Sequence, residues 1–191
     1  MDAAERSILS RGFRASTMEI IAREAGYSRA AIYRHFPSRQ HLLKALVARK
    51  TAKHQSEIGA RLSQYSGAAD ILVESLVIVA TELIHDPLLM TLSEQTDEGT
   101  VAHMVASDEH LPELVGALIE AMRDGAPGQR VRAGLNSADA GRFIITTALT
   151  LLLRVIPDID DPDTARRYLQ TFMLPAILEE PPPPSTIVFP A

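Results

Sequence analysis

Arg29, Ala30, Tyr33 and Arg34 recur at the spacing of one helical face, directly after Ser28 and a short way beyond Thr17. Together they suit one kind of chemistry. Arginine donates a bidentate pair of hydrogen bonds to guanine, alanine admits close approach or touches a thymine methyl, and a tyrosine hydroxyl bonds a phosphate. Hydroxyls and free amides at helix N-termini, here those of Thr17 and Ser28, favour phosphate oxygens. The charge distribution agrees with this reading. The 191 residues carry a net charge of -5, yet residues 1–53 hold 11 of the 19 Lys and Arg and 4 of the 24 Asp and Glu. The first quarter is therefore +7 and the rest −12, a basic module joined to an acidic one. Such asymmetry points to a polyanion partner for the N-terminal part alone, although charge by itself is equally consistent with a solvated basic face.

Other chemistries find no support. The chain has no cysteine, which removes disulfide scaffolds, iron–sulfur clusters, cysteine-ligated zinc and cysteine nucleophiles. Among His35, His41, His54, His85, His103 and His110 there is no His-x-x-x-His pair, and Glu82 with His85 is a lone i,i+3 pair. Asp158, Asp160, Asp161 and Asp163 resemble a calcium loop but lack its glycine and closing glutamate, and helix capping accounts for Asp161 and Asp163. Without a phosphate-cradling glycine loop, a serine nucleophile elbow or paired catalytic carboxylates, the expectation is no enzyme, no metal and no cofactor. The longest apolar stretch, Phe143 to Leu153, has 11 residues including three threonines, well short of the roughly 20 that cross a bilayer. With no membrane span and no basic, apolar leader at Met1, the expected address is the cytoplasm.

The elements that must hold these side chains read as helices throughout, so the fold class is all-α. Ser16-Thr17-Met18-Glu19 has the form of a capping box, predicting a helix from Thr17 to Ala25 that ends in a left-handed Gly26. Ser28 caps a second helix to about Phe36, and Ser38 a third, longer one to roughly Gly59. Ile20, Ile21 and Ala25 bury against Ile32 and Phe36, which leaves the Arg29–Arg34 face free. Beyond Gly67, Leu72, Leu76, Val79 and Leu83 form one apolar stripe, stopped at His85-Asp86-Pro87. Leu111, Leu114, Val115, Leu118, Ile119 and Met122 form another. Asn136 or Ser137 opens a helix to about Ile156 that is apolar nearly all round and therefore suits a place between its own core and a second subunit. Asp161 caps the last helix, which Pro175 kinks or shortens. The Pro181–Pro184 stretch is expected to be an exposed spacer.

The segment Gly12-Phe13, Ser16-Thr17, Ile21-Ala22, Ala25-Gly26, Ser28, Ile32-Tyr33-Arg34-His35-Phe36, Ser38-Arg39 and Leu42-Leu43 resembles the signature of the TetR family of bacterial regulators. The resemblance covers about residues 1–50. It implies a helix-turn-helix three-helix DNA-binding domain at 1–48 and an antiparallel helical ligand-binding and dimerisation domain at 49–180, which leaves the Pro-rich residues 181–191 as a tail. It further implies a homodimer on a palindromic double-stranded DNA operator, usually a repressor, released when a small-molecule effector alters the separation of the two DNA-binding domains.

Carried over by position, phosphate contacts fall on Thr17, Ser28, Tyr33, His35 and Arg39, and base reading on Arg29, Ala30, Ala31 and Arg34. The family's first helix is longer than the roughly 11 residues before Gly12, with Ala3, Ala4, Ile8 and Leu9 as its core contacts here. That predicts either a start upstream of Met1 or weakened DNA binding, and keeps open an alternative, a sensing or carrier protein with impaired DNA binding. Polar residues stranded on apolar helices, Glu82, Gln95, His103, Thr146, Thr147 and Thr150, with Phe143, are the candidate ligand contacts. An aromatic content of 5% without tryptophan favours an aliphatic pocket and a hydrophobic ligand. Dimer contacts are expected from Phe143, Leu149, Leu152 and Leu153 against Leu169, Phe172 and Met173.

Overall fold

A computed structural model describes residues 1–95, 110–125 and 129–189, whose regular elements are helices, as the periodicity predicts, with one isolated bridge between Val131 and Leu178 and no strand among them. The helices are α1 (Asp2–Arg11), α2 (Met18–Glu24), α3 (Arg29–His35), α4 (Arg39–Leu62), α5 (Ala68–Thr81), α6 (Pro87–Gln95), α7 (His110–Ala121), α8 (Ser137–Leu152), α9 (Pro162–Tyr168) and α10 (Leu174–Ile177). The chain divides into two compact units, the first comprising Met1–Ser56 with the described residues from 85 to 95, the second the remainder.

In the first unit, α1 buries Ala3, Ala4, Ser7 and Ile8, whereas Leu9 faces outward and is not the core contact expected of it. Ala4 joins Met18, Ile21, Ala22, Ile32 and Leu42 in one core cluster; Ile8 joins Leu43, Leu46, Val47, Leu88, Leu89 and Leu92 in another. The cap of α2 lies one residue later than expected. Ser16 is buried and its hydroxyl donates to the Gly12 carbonyl at 2.8 Å, so Thr17 takes the capping role, accepting from the Ile20 amide at 3.3 Å.

The His85-Asp86-Pro87 segment is a start as well as a stop. Asp86 Oδ1 accepts from the Leu88 and Leu89 amides at 3.0 and 3.1 Å, capping α6, and Pro87 needs no amide partner in that first turn. Its other oxygen receives Lys50 Nζ at 2.9 Å and sits 3.1 Å from His54 Nε2, both on α4. Glu5 of α1 lies 3.4 Å from the same ammonium and 2.7 Å from Arg49 Nη2, while Asp2 also pairs with Arg49. One buried carboxylate thus helps tie α4 to α6, with α1 on the rim of the network. Burial pushes the Asp86 carboxyl up, but Lys50, the Leu89 amide and His54 outweigh it and hold it below its ordinary 3.8.

The second unit packs Leu72, Val73, Leu76, Val77 and Ala80 of α5 with Ile119 of α7, Ile144 and Leu151 of α8 and the last helical segment. Helices α7 and α8 approach backbone to backbone. A Cβ on Gly141 would lie 2.2 Å from the Pro112 carbonyl oxygen and 2.9 Å from the Gly116 amide, and one on Gly116 would lie 2.8 Å from the Ser137 carbonyl oxygen. Arg123 reinforces this pair, reaching Glu120 at 2.8 Å and both the Leu135 carbonyl and Ser137 Oγ at 3.0 Å, and with Ser137 it holds the Glu120 carboxyl down to about 2.

Asn136 caps α8, which ends at Leu152 rather than near Ile156; Arg154 follows at a φ of 53°. Asp161 caps α9 as expected. Pro175 acts by way of a π turn over Leu169–Met173, in which the Leu174 amide reaches back five residues to the Leu169 carbonyl. The tail is no free spacer. The Glu179 amide bonds the Arg130 carbonyl at 2.9 Å, the Ser185 amide bonds Thr171 Oγ1 at 3.1 Å, and Arg167 Nε donates to the Val188 carbonyl at 3.2 Å, with Val188 itself buried.

Two outcomes follow for stability. Asp86→Ala should lower the unfolding free energy in urea by about 3 kcal/mol, because it removes a cap and leaves Lys50 without its buried partner. The depressed pKa means that the unfolded chain binds the Asp86 proton more readily. Its contribution is therefore complete above the ordinary carboxylate pKa and is lost as pH falls through the lower, folded value, so Asp86→Asn should flatten the melting temperature's dependence on pH there. Gly141→Ala should cost about 2 kcal/mol, since backbone atoms and not a flexible side-chain end must yield; an unchanged urea midpoint would contradict the close approach.

Candidate nucleic-acid interface

Helices α2 and α3 have seven residues each, too few to stand in water alone, and are held by caps and by the core beneath them. Gly26 turns the chain between them at a φ of 72°, where its amide bonds the Arg23 carbonyl and the Tyr27 amide the Ala22 carbonyl. Ser28 Oγ accepts from the Ala31 amide at 3.2 Å, and Ile32 is the buried anchor of α3. Ala30, Arg34 and His35 are exposed, Ala31 and Tyr33 half-buried, and Thr17 and Ser28 lie open at the two helix starts.

Two neighbours position Arg29. Its guanidinium carbon stands 5.5 Å from the centre of the Tyr33 ring, and its Nε is 3.1 Å from Glu19 Oε1 across the turn. The Glu19 carboxyl is held below its ordinary value chiefly by its own amide, against the opposing effect of burial, with Thr17 and then Arg29 adding to the lowering. An exposed pair of this sort contributes little to stability; its consequence is orientation. Glu19 and the exposed Tyr27 of the turn were not among the predicted contacts. No helical spacing connects residue 19 to residue 29, and only the folded turn brings them together.

Arg39 departs from expectation. Its guanidinium lies over the Phe13 ring at 3.8 Å and donates to the Phe13 carbonyl, fastening the α1–α2 connection to α4 instead of pointing outward towards a phosphate. Ser38 caps α4 through the His41 amide at 3.2 Å, as predicted.

A capped pair of short helices with a basic, exposed face on the second defines a helix-turn-helix DNA-binding protein. Residues 1–46 match the family described as bacterial regulatory proteins, tetR family. A helix-turn-helix-type regulator of Mycobacterium tuberculosis is 27% identical over 177 residues, 93% of this chain and 83% of that protein. The regulator UidR of Escherichia coli is 23% identical over 87% of this chain and 82% of its own length. Among solved structures, NalD, the secondary repressor of the MexAB-OprM multidrug efflux pump in Pseudomonas aeruginosa, has a TM-score of 0.55 at 23% identity, covering 93% of both chains. A structure described as the molecular basis for control of antibiotic production by bacterial hormones also scores 0.55 at 23% identity, covering 92% of this chain and 93% of that one. The N-terminal module, residues 1–46, is thus of the TetR type, and the chain as a whole shares the fold of these solved structures.

The candidate ligand contacts do not converge. Thr146, Thr147 and Thr150 donate to the carbonyls of Arg142, Phe143 and Thr146, each at 2.9 Å, so none is the unmatched polar group that suggested a pocket. Glu82 is exposed and paired with Arg61 at 2.6 Å. His103 and the side chain of Gln95 lie outside the described residues. A cleft of about 600 Å³ in the second unit is lined by Arg123, Asp124, Arg130, Val131 and Glu179 among others, a charged rather than aliphatic wall that none of the candidates joins.

The dimer candidates divide. Phe143, Leu153 and Phe172 are exposed and Leu149 and Leu152 half-buried, but Leu169 and Met173 are sealed in the core of their own chain and have no side-chain surface to offer a partner. The π turn accounts for this. It widens the helix by one residue per turn, which advances the buried register from Leu169 to Met173 and leaves Phe172 outside. No helix of the described residues is long and apolar enough to cross a membrane.

Arg29→Ala should reduce discrimination between operator and random DNA, while Tyr33→Phe should weaken both about equally, in titrations at matched salt. An equal loss on both DNAs for Arg29→Ala would remove base reading from that residue.

Proposed function

We propose that this protein is a homodimeric cytoplasmic repressor that reads a palindromic operator through its paired α3 helices and leaves it when a small hydrophobic effector binds. The observation that carries the reading is the outer face of α3, with Arg29, Ala30 and Arg34 exposed beside the half-buried Tyr33 and Arg29 placed between Tyr33 and Glu19. Residues 1–48 are assigned to DNA binding, with phosphates taken by Thr17, Ser28, Tyr33 and His35 and bases by Arg29, Ala30, Ala31 and Arg34. Residues 49–180 are assigned to effector binding and dimerisation, the latter through Phe143, Leu149, Leu152, Leu153 and Phe172. An aliphatic core lies beside them in the second unit, which favours an apolar effector. NalD is named as a secondary repressor, and the other neighbour's structure is described as the molecular basis for control of antibiotic production by bacterial hormones; both descriptions support the reading of repression relieved by a small molecule.

Mechanistically, two copies of α3 held at a fixed separation match half-sites about 34 Å apart or a multiple of it. An effector that prefers a conformation with another separation shifts the population away from DNA by its difference in affinity for the two states, and nothing more. The net positive charge of residues 1–53, against a net negative remainder, directs the encounter to that part of the chain.

Footprinting on the intergenic DNA beside its own gene should protect an inverted repeat with that half-site spacing, and the affinity should fall steeply with salt. Apolar small molecules that release the DNA should also raise the melting temperature of the free protein. Equal affinity for the repeat and for random DNA would sink the reading.

A further inference from the structure

The C-terminal segment is fastened to its own chain and still leaves large apolar side chains outside. Proline-rich residues 181–184 lead to three anchored points: the Ser185 amide on Thr171 Oγ1, the Val188 carbonyl on Arg167 and the buried Val188 side chain. The two apolar residues that flank Val188 point outward, Ile187 at 67% and Phe189 at 42% exposure. Phe189 also continues a row of rings, 6.2 Å from Tyr168, which is itself 5.3 Å from Phe172, the exposed ring at 55%.

We propose that this segment is part of the surface through which two copies of the chain associate, with Ile187 and Phe189 as its contact residues. The inference rests on the homodimer reading above. Area decides in favour of a second copy. With roughly 200 Å² for a fully exposed large side chain, the exposed parts of Phe143, Leu153 and Phe172 offer about 300 Å², to which the half-buried Leu149 and Leu152 each add less than any one of those three. A stable interface needs roughly 800 Å² per partner, more than half of it apolar. Ile187 and Phe189 add about 200 Å², which brings the apolar share close to that requirement. The segment is already fixed by prolines and hydrogen bonds, so presenting these side chains costs little further ordering. In a two-fold interface each contribution also counts twice.

Sedimentation equilibrium of the full chain tests this, using Ile187→Ser, the double variant Ile187→Ser/Phe189→Ser, and Leu153→Asp as the reference on α8. The expected result is a dimeric wild type, a dimer Kd raised at least about tenfold by Ile187→Ser and further by the double variant, and a wild-type Kd for Ile187→Leu. Ile187 is the decisive position: at 67% exposure its truncation leaves the chain's own core intact, so far-UV circular dichroism should not change. An unchanged Kd in both serine variants, while Leu153→Asp dissociates the dimer, overturns the tail assignment and leaves the dimer standing. A wild type that stays monomeric throughout the concentration series overturns both.

Discussion

A helix of seven residues cannot hold itself together in water, and the reading of DNA by this protein depends on that constraint being met. Helix α3 carries the whole exposed recognition face, yet it has only Ile32 fully buried beneath it. Its order comes from outside: the Ser28 cap, the left-handed Gly26 that sets the angle of entry, and a core built of α1, α2 and α4 residues. Short capped helices on a small core have a functional consequence. Most of α3 stays outside the core and free to enter a groove, and the cost is a dependence on every neighbour that pins it.

The arginines of the basic unit illustrate how charge is shared between those two tasks. Arg39 and Arg49 are spent on architecture, the first over Phe13 and the second on Asp2 and Glu5. Arg29 and Arg34 stay on the outer face, and Arg29 is aimed by Tyr33 and Glu19 without being withdrawn from solvent. A positive total over residues 1–53 therefore overstates the charge available to a phosphate backbone. What a polyanion meets is the subset that the fold does not use.

The parts of this arrangement that were legible in the sequence are those governed by local rules. Capping at Ser28, Ser38, Asn136 and Asp161, the left-handed Gly26 and the buried Ile21–Ile32 pairing each depend on neighbours within a few residues or across one turn. Ser16 misled because two adjacent hydroxyls compete for one cap, and the choice was settled by the Gly12 carbonyl, which sequence alone does not place. The threonines of α8 misled for a related reason: a hydroxyl that looks stranded on an apolar helix is satisfied by the carbonyl four residues back. Arg39, the Asp86 network and the Gly116–Gly141 approach depend on contacts between distant segments, for which periodicity carries no signal.

The last helical segment shows how one local irregularity can serve several ends. Pro175 has no amide, and in a regular helix its ring would press on the carbonyl of Thr171, four residues earlier. The π turn relieves that clash and shifts the register at the same place. Leu169, Met173, Leu174 and Ile177 can then all face the core, while Phe172 is left outside. Thr171 is also where the tail attaches, its hydroxyl accepting the Ser185 amide instead of donating back into its own helix as the α8 threonines do. A proline that reads in the sequence as a helix breaker thus separates the face that builds the core from the face that remains exposed, and it leaves at the boundary the polar group that fastens the end of the chain.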